Sequence, residues 1–306
     1  MSETLTEFYQ LLSFGGILIS PLYMAFFAAI AWLIYRSRGE TGGFFAWLFP
    51  RKVFLTRSTG ADVSLFAIGQ VVQALGLFTR FAATPAVASY IAGLTAVAPL
   101  GNIFLSPVGL ALFLMLLSDF AIYWAHRAYH TIKLIWPLHA VHHSASVLTP
   151  ITAYRVHPLS GLLTTSFNTV VIGTLLGLLV GAFRPDATVW EIAGVNAFVL
   201  IINLTLSNFH HSHIWVSFGP VLERLIISPA QHQVHHSTNP THFNKNFGQT
   251  LAIWDWMFGT LYITRPDESV TFGLNDKADA PLMTHRLWPI LWDPVRRIFM
   301  LATGRS

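Results

Sequence analysis

Long stretches without charged side chains alternate with short polar segments along most of the sequence. A helix needs about 20 apolar residues to cross a bilayer core of about 30 Å. The apolar stretches end where charged residues begin, as at Arg36 and Arg80. The pattern predicts an all-α integral membrane protein with about five transmembrane spans, at 16–35, 63–79, 103–125, 159–183 and 192–209. The last two spans are joined by a short polar turn and form a predicted hairpin.

The basic residues orient these spans. Five of the eighteen lie in the segment 36–57, and cytoplasmic loops carry an excess of Lys and Arg. With that segment in the cytoplasm, the five-span topology leaves only Arg80 and Arg184 on the opposite side. A sixth span at 81–100 would place the basic loop and the histidines described below on opposite sides. We therefore interpret this Ala- and Gly-rich stretch as an interfacial or re-entrant piece.

The composition supports a membrane protein and excludes several other classes. Apolar residues make up 53% of the chain and charged residues 10%, and the mean hydropathy is +0.54. The net charge of +4 is not gathered in a Lys/Arg cluster on a soluble fold, so nucleic acid is not an expected partner. The chain has no cysteine, so any metal must be held by nitrogen and oxygen. The first residues lack the basic segment and cleavage site of a signal peptide, and we expect the first span to be retained.

Histidines carry the candidate chemistry. Thirteen of the fourteen lie between positions 126 and 242, mostly in the motifs HRAYH (126–130), HAVHH (139–143) and HQVHH (232–236). Residues spaced i, i+3 and i+4 share one helix face, and the predicted topology brings all of these motifs to the cytoplasmic side. Neutral imidazole is a common ligand of zinc, iron and copper. Because eight or more histidines exceed the needs of one ion, the pattern predicts a two-metal site in a cytoplasmic helical cap.

Some histidines carry less weight, and other functions stay open at this point. His285 has no histidine near it and is interpreted as an ordinary surface residue, whereas His157 is expected to support the site rather than to bind metal. The roles of His210, His213 and His242 are undecided. A histidine-rich membrane metal transporter is the main alternative, and a haem protein with paired axial histidines is another. The sequence has no HExxH motif, which excludes zinc peptidase chemistry of that type.

The order of the motifs resembles one family. The segments SDFAIYWAHRAYH, LIWPLHAVHHS, TAYRVHP, FHHSHI, SPAQHQVHHS and NKNFGQTLAIWDWMFGT, between about 115 and 275, are similar to the fatty acid hydroxylase and sterol desaturase superfamily of membrane non-haem di-iron enzymes. Two positions depart from the family pattern: Asn244 stands where the family often has Asp, and His213 stands where it often has Asn. The domain division that follows is an N-terminal transmembrane region (1–110), a hydroxylase-like catalytic domain (111–275) and a cytoplasmic tail (276–306).

The resemblance implies a ligand set and a reaction. The implied metal ligands are eight histidines of the three motifs plus one in the second helix of the hairpin: His126, His130, His139, His142, His143, His211, His232, His235 and His236. They would hold two iron ions, with zinc as an expected substitute on expression. Molecular oxygen and two electrons would then serve to hydroxylate or desaturate a lipid C–H bond, because both reactions begin with the same hydrogen abstraction.

The resemblance also implies residues that orient the ligands, an electron donor and a location. Asp119, His157, Asn246 and Asp255 are candidates to orient the ligand rings, since metal-bound histidines usually donate their second nitrogen to a partner. The electron donor is expected to be a separate protein, either cytochrome b5-like or a ferredoxin with its reductase, and the lipid to arrive from the bilayer. We expect the protein in the bacterial inner membrane with its active site on the cytoplasmic face.

Overall fold

The computed structural model describes residues 17–76, 83–96, 107–183 and 197–304. These residues form helices joined by loops, and two isolated bridges are the only β pairing among them. The helices are α1 (Pro21–Ser37), α2 (Phe44–Leu48), α3 (Arg51–Phe54), α4 (Arg57–Ala74), α5 (Thr84–Thr95), α6 (Pro107–Thr131), α7 (Trp136–His143), α8 (Pro158–Phe183), α9 (Ala197–Ile202), α10 (Asn208–His210), α11 (Gly219–Leu222), α12 (Pro229–His235), α13 (Ile253–Met257) and α14 (Leu287–Thr303). The all-helical class expected from the sequence agrees with these elements.

One described helix, α8, is long and apolar enough to cross a membrane, and α1 is a shorter apolar helix. Helix α4 begins at Arg57, six residues before the predicted second span, and α6 runs on to Thr131, six residues beyond the predicted third span. His126 and His130 therefore lie on α6 itself rather than in a loop after it. The predicted hairpin turn and the first residues of the fifth span fall outside the described residues. The five-span count and the cytoplasmic cap stay predictions.

Helix α5 packs along α8 through a stripe of glycines. A Cβ atom added at Gly177 would lie 2.6 Å from the carbonyl oxygen of Ala88, and one added at Gly181 would lie 2.5 Å from that of Ala92. Such close approach of two backbones is typical of small residues spaced four apart, as in the sequence GTLLGLLVG at 173–181. The described part of the stretch 81–100 is thus a regular helix of 12 residues, about 18 Å long and too short to cross a bilayer core alone.

A fully buried ion pair joins the N-terminal part of the chain to the loop before α8. The Nη1 atom of Arg155 donates to Asp62 at 2.7 Å, and both side chains are inaccessible to solvent. The same guanidinium donates to the carbonyl of Val141 and to the hydroxyl of Ser144, both at the end of α7. Its Nη2 atom lies 3.1 Å from Nδ1 of His285. The interpretation of His285 as an ordinary surface residue was wrong, because its ring contacts the buried guanidinium of Arg155. The sequence did not indicate this contact, since the two residues are 130 positions apart.

Helix α14 lies against α7 and α4 at the point where α8 begins. Leu65 of α4, Val141 of α7 and Ile290 of α14 are buried in one apolar cluster. The Nε2 atom of His157, the residue before α8, lies 3.0 Å from the carbonyl oxygen of Leu291. Helix α7 is therefore supported from one side, and its histidines lie on the other.

Candidate metal centre

Nine buried or half-buried histidines form two groups. Within each group, every histidine has one ring nitrogen that lies within 4.8 Å of one ring nitrogen of each other member. The first group comes from α6, α7 and α12 and consists of His126, His130, His139, His143 and His235. The second comes from α7, α12 and the end of α10 and consists of His142, His211, His232 and His236. These are the nine residues that the sequence singled out, and the structure brings all of them together.

Local sequence fixes the helices that carry these rings. Helix α12 begins with a reciprocal capping box, in which the Ser228 hydroxyl accepts from the Gln231 amide and the Gln231 side chain accepts from the Ser228 amide. Buried Glu223 accepts from the hydroxyl of Ser228 at 2.8 Å and from the hydroxyl and amide of Thr264. The start of α12 is thus held from two directions, which sets the rotation of the HQVHH face. No motif in the sequence marks Glu223 for this role.

The approach to the second group runs through an irregular helix. Helix α9 passes into a π-helical turn at Asn203–Ser207 before α10, and His211 follows directly. Turns of this type inside helices are frequent at functional sites, because the extra residue changes which side chains face inward. Here the irregular turn is followed by α10 and then by His211, which belongs to the second histidine group.

The distances between ring nitrogens match those between ligands of one metal ion. In the first group, Nε2 of His139 lies 3.1 Å from Nε2 of His126 and 3.2 Å from that of His143. Nε2 of His211 in the second group lies 3.1 Å from that of His142 and 3.0 Å from that of His232. An ion with bonds of about 2.1 Å to nitrogen separates neighbouring ligand nitrogens by about 3.0 Å at right angles and about 3.4 Å at tetrahedral angles. The donor sets of both groups therefore fit a bound metal.

The remaining nitrogens give an independent test of this fit. The Nε2 atoms of His130, His235 and His236 are buried and have no hydrogen-bond partner, although unsatisfied buried polar atoms are costly. Burial lowers the pKa of His142 to about 3 and that of His236 well below its usual range, and neighbouring histidines add to both shifts. The rings are therefore neutral, with lone pairs that metal ions would satisfy.

A loop at 244–251 orients two of the rings through its carbonyl oxygens. His126 Nδ1 lies 2.8 Å from the carbonyl of Phe247, and His235 Nδ1 lies 2.8 Å from that of Lys245. A carbonyl can only accept, so each ring donates from Nδ1 and keeps Nε2 free as a ligand atom. Asn244 and Asn246 in this loop have φ of 58° and 54°, a left-handed conformation that asparagine tolerates better than most residues.

Three of the four predicted supporting residues, Asp255, Asp119 and Asn246, hold this loop rather than the rings. Asp255 accepts hydrogen bonds from the amides of Phe247 and Gly248, at 2.8 and 2.7 Å, and from the hydroxyl of Thr260 at 2.6 Å. Burial raises the pKa of Asp255, and the donated hydrogen bonds oppose that effect. A Cβ atom at Gly248 would lie 2.9 Å from Oδ2 of Asp255 and 2.5 Å from the carbonyl of Leu251, so this approach requires glycine.

Asp119 and Asn246 hold the loop from other sides. Asp119 accepts from the amides of Thr250 and Leu251, at 3.1 and 3.0 Å, and from the indole of Trp254 at 3.0 Å. The side chain of Asn246 accepts from the amide of Tyr262 and donates to the carbonyl of Gln231 at the start of α12. Among the described residues, no hydrogen bond joins any of these side chains to a ligand ring. Asp255 and Asp119 bond to the backbone of the loop, whereas Asn246 ties the loop to Tyr262 and to α12.

The other histidines lie outside the two groups. Both ring nitrogens of His157 are engaged, one by the amide of Leu159 and the other by Leu291. Nε2 of His213 lies 3.0 Å from the carbonyl of Trp47. His242 lies 3.2 Å from a Glu268 oxygen, and the ring of His210 stacks on that of His232. These contacts assign structural partners to all four residues.

A cavity of about 330 Å³ opens onto both histidine groups. Its wall includes His126 and His139 of the first group and His142, His211 and His232 of the second. Apolar side chains, among them Ile122, Leu138 and Val156, line much of the remainder. The volume lies at the lower end of the range for small-molecule sites. A molecule in this cavity would contact both donor sets at once.

Known proteins resemble this chain in sequence over the region that contains the histidines. A family model for fatty acid hydroxylase matches residues 111–260. An alkylglycerol monooxygenase of Danio rerio is 31% identical over 57% of this chain and 35% of its own length, and an ornithine lipid hydroxylase of Rhizobium tropici is 30% identical over 53% and 45%. A putative Delta(7)-sterol-C5(6)-desaturase of Arabidopsis thaliana is 27% identical over 53% of this chain and 51% of its own.

The chain spans 35–51% of the length of these relatives, and no solved structure matches it. The matched segment nevertheless contains all nine clustered histidines and the loop that orients two of them. Residues 111–260, just under half of the chain, therefore match the fatty acid hydroxylase family as one domain.

Proposed function

We propose that this protein is an O2-dependent di-iron enzyme that hydroxylates or desaturates a lipid C–H bond, with two electrons supplied by a separate donor protein. The observation that carries the proposal is the single cavity bordered by two histidine donor sets. The names of the relatives, lipid hydroxylases and a sterol desaturase, support the same reaction class. Iron bound by the two sets would supply oxygen activation and hydrogen abstraction at an unactivated carbon.

The residues of the chain would hold, orient and shield this chemistry. The first set would bind one ion through five imidazoles and the second set would bind the other through four. The loop at 244–251 keeps Nδ1 of His126 and His235 protonated and their Nε2 atoms free. Ile122, Leu138 and Val156 would place an apolar chain beside both ions and exclude water from them.

The surface around the site supports a position at the face of a membrane. Helix α14 contacts His157, the residue before α8, and exposes Trp288, Trp292 and Phe299 by 72%, 53% and 57%. The two indoles stack with their centres 6.0 Å apart, and tryptophan is enriched at membrane interfaces. We propose that α14 lies in the lipid interface, that the site faces the cytoplasm, and that the membrane is a bacterial inner membrane.

Metal analysis and lipid analysis test the function. We expect about two irons per chain after anaerobic purification, and loss of metal and of activity in His142→Ala and His235→Ala. His213→Asn is a matched control, because His213 contacts the backbone of Trp47 and lies outside both groups. Lipids of cells with and without the gene should differ by one oxygen or two hydrogens in one lipid class. Purified protein that binds no iron under these conditions would refute the proposal.

The transporter alternative has weaker support in the described residues. A metal path across the membrane needs ligating or ionisable side chains inside the bilayer. Helix α8, the described helix able to cross a membrane, contains no charged residue and no histidine from Pro158 to Phe183. Uptake of iron or zinc into proteoliposomes would favour the transporter over the enzyme.

A further inference from the structure

A second cavity, of about 310 Å³, lies beside the first and shares a wall with it. The start of α8 closes one side of this cavity. Helix α4 lines the other side with Leu65, Phe66, Gly69, Gln70 and Gln73. Tyr154 and Val156 line both cavities, so the space beside the histidines meets the space beside α4 along these two side chains.

Two contacts hold Tyr154, one of the two side chains of the shared wall. The hydroxyl of Tyr154 accepts a hydrogen bond from the amide of Leu18 at 2.6 Å. Its ring packs edge-on against Phe66, with ring centres 5.1 Å apart. Phe66 itself lines the second cavity, so the wall and the cavity beyond it are built from the same contacts.

Two amide side chains give the second cavity its chemistry. Gln70 and Gln73 lie on one face of α4 and line the cavity, and among the residues that the structure describes neither side chain is hydrogen-bonded to another helix. Each amide offers two donors and one acceptor to a ligand.

The described lining carries no charge that would bind an anion. None of its residues is Lys, Arg, Asp or Glu. His157 engages both of its ring nitrogens elsewhere, and burial lowers its pKa, so it stays neutral. A carboxylate or phosphate placed here would lose its water without gaining an ionic partner, which is costly, whereas a hydroxyl, ether, ester or amide could bond to the two glutamines.

We propose that the second cavity binds the uncharged polar end of the lipid whose apolar chain occupies the first cavity. This inference rests on the proposed function and narrows it to lipids with a neutral hydrogen-bonding group. Tyr154 and Val156 would then set the distance between that polar group and the carbon that lies beside the histidines. The polar group would also fix which carbon of the chain reaches them.

Photolabelling tests the inference without turnover. Two probes with the same sixteen-carbon chain and the same diazirine position are used, one a glycerol ether and the other a free carboxylate. Both are bound to the purified protein in detergent under nitrogen and without reductant. We expect the neutral probe to label α4 near Gln70, and the anionic probe to label it at least tenfold less.

Two variants and a matched control separate binding from folding. Gly69→Leu fills the second cavity, since a Cβ at Gly69 meets no atom within 4 Å, and it should reduce labelling by the neutral probe at least tenfold. Gly60→Leu, on the same helix with equally open space and outside both cavities, should label as the wild type does. If Gly69→Leu fails to fold, Gln70→Leu with Gln73→Leu should show the loss in its place.

The outcomes distinguish this inference from the proposed reaction. Equal labelling by the two probes, or undiminished labelling of Gly69→Leu or of the double glutamine variant, would overturn the neutral headgroup site while leaving the metal centre untouched. Failure to bind iron in wild type would reject the reaction without altering the labelling result, because the labelling needs neither metal nor oxygen.

Discussion

Replacing Asp255 by asparagine tests whether the loop at 244–251 governs the metal centre. The substitution keeps the shape of the side chain and one acceptor oxygen, which can still serve the amide of Phe247 and the hydroxyl of Thr260. The amide nitrogen that replaces Oδ2 would face the amide of Gly248, so two donors would oppose each other there. The loop should shift away from this contact, and its two ring-orienting carbonyls should shift with it.

The expected loss in the free energy of unfolding follows from these three hydrogen bonds. Loss of one charge-assisted bond costs about 1.5–3 kcal/mol, and the two that persist become neutral and weaker by about 1 kcal/mol each. Burial raises the pKa of Asp255, so removal of its charge returns part of this cost. We expect the free energy of unfolding to fall by about 2–3 kcal/mol, and metal affinity to fall by about 10–100-fold, as for other partners of metal-bound histidines.

Thermal unfolding and competition with a chelator measure the two effects on purified protein in detergent. Asp267→Asn is the control, since Asp267 is an exposed carboxylate outside both histidine groups. If Asp255→Asn bound iron as tightly as Asp267→Asn did, the loop would have no role in metal binding. A loss of thermal stability with unchanged metal affinity would show that the loop stabilises the fold but does not orient the rings.

Further predictions concern the ion pair, the glycine stripe and protonation. Asp62→Asn should lower the free energy of unfolding by about 3–5 kcal/mol, because it leaves the Arg155 guanidinium buried without a charged partner. Thermal or denaturant unfolding measures this loss, which is expected even though Asp62 lies outside the family match at 111–260. Gly177→Ala should lower the midpoint of thermal unfolding because its Cβ meets the Ala88 carbonyl, whereas Gly93→Ala, with open space on α5, should not. Metal-free protein should lose stability as the pH falls below about 6.5, by up to about 1.4 kcal/mol per pH unit for each buried ligand histidine. The reason is that burial lowers the pKa of a residue such as His142, so the unfolded state takes up protons that the folded state does not. Unfolding midpoints of wild type and His142→Ala between pH 7 and 5 measure this pH dependence.

The sequence predicted the histidine groups because their spacing is local. Positions i, i+3 and i+4 on a helix define a shared face whatever that helix packs against, so the motifs at 139–143 and 232–236 indicate convergent rings. The sequence could not predict which histidine belongs to which of the two groups, because that depends on the rotation of α7 and α12 about their axes. That rotation is fixed by distant contacts, such as those of Arg155 and Glu223.

The contacts that the sequence left unpredicted are long-range or use the backbone. The partners of His126 and His235 are carbonyl oxygens, which every residue has, so no side-chain pattern marks them. Asp62 and His285 meet Arg155 across 93 and 130 positions. The packing of α5 on α8, by contrast, had a readable signal in the glycines four residues apart at 173, 177 and 181.

Adjacent histidines in α7 and α12 belong to different groups. His142 and His236 lie in the second group, while their sequence neighbours His143 and His235 lie in the first. The rings of His143 and His236 stack across the boundary, with centres 4.5 Å apart. A small turn of either helix about its axis would disturb both groups together, so occupancy of one group favours the helix rotation that the other requires. Loading of the pair should therefore be cooperative, with little of the singly filled protein present at intermediate metal supply.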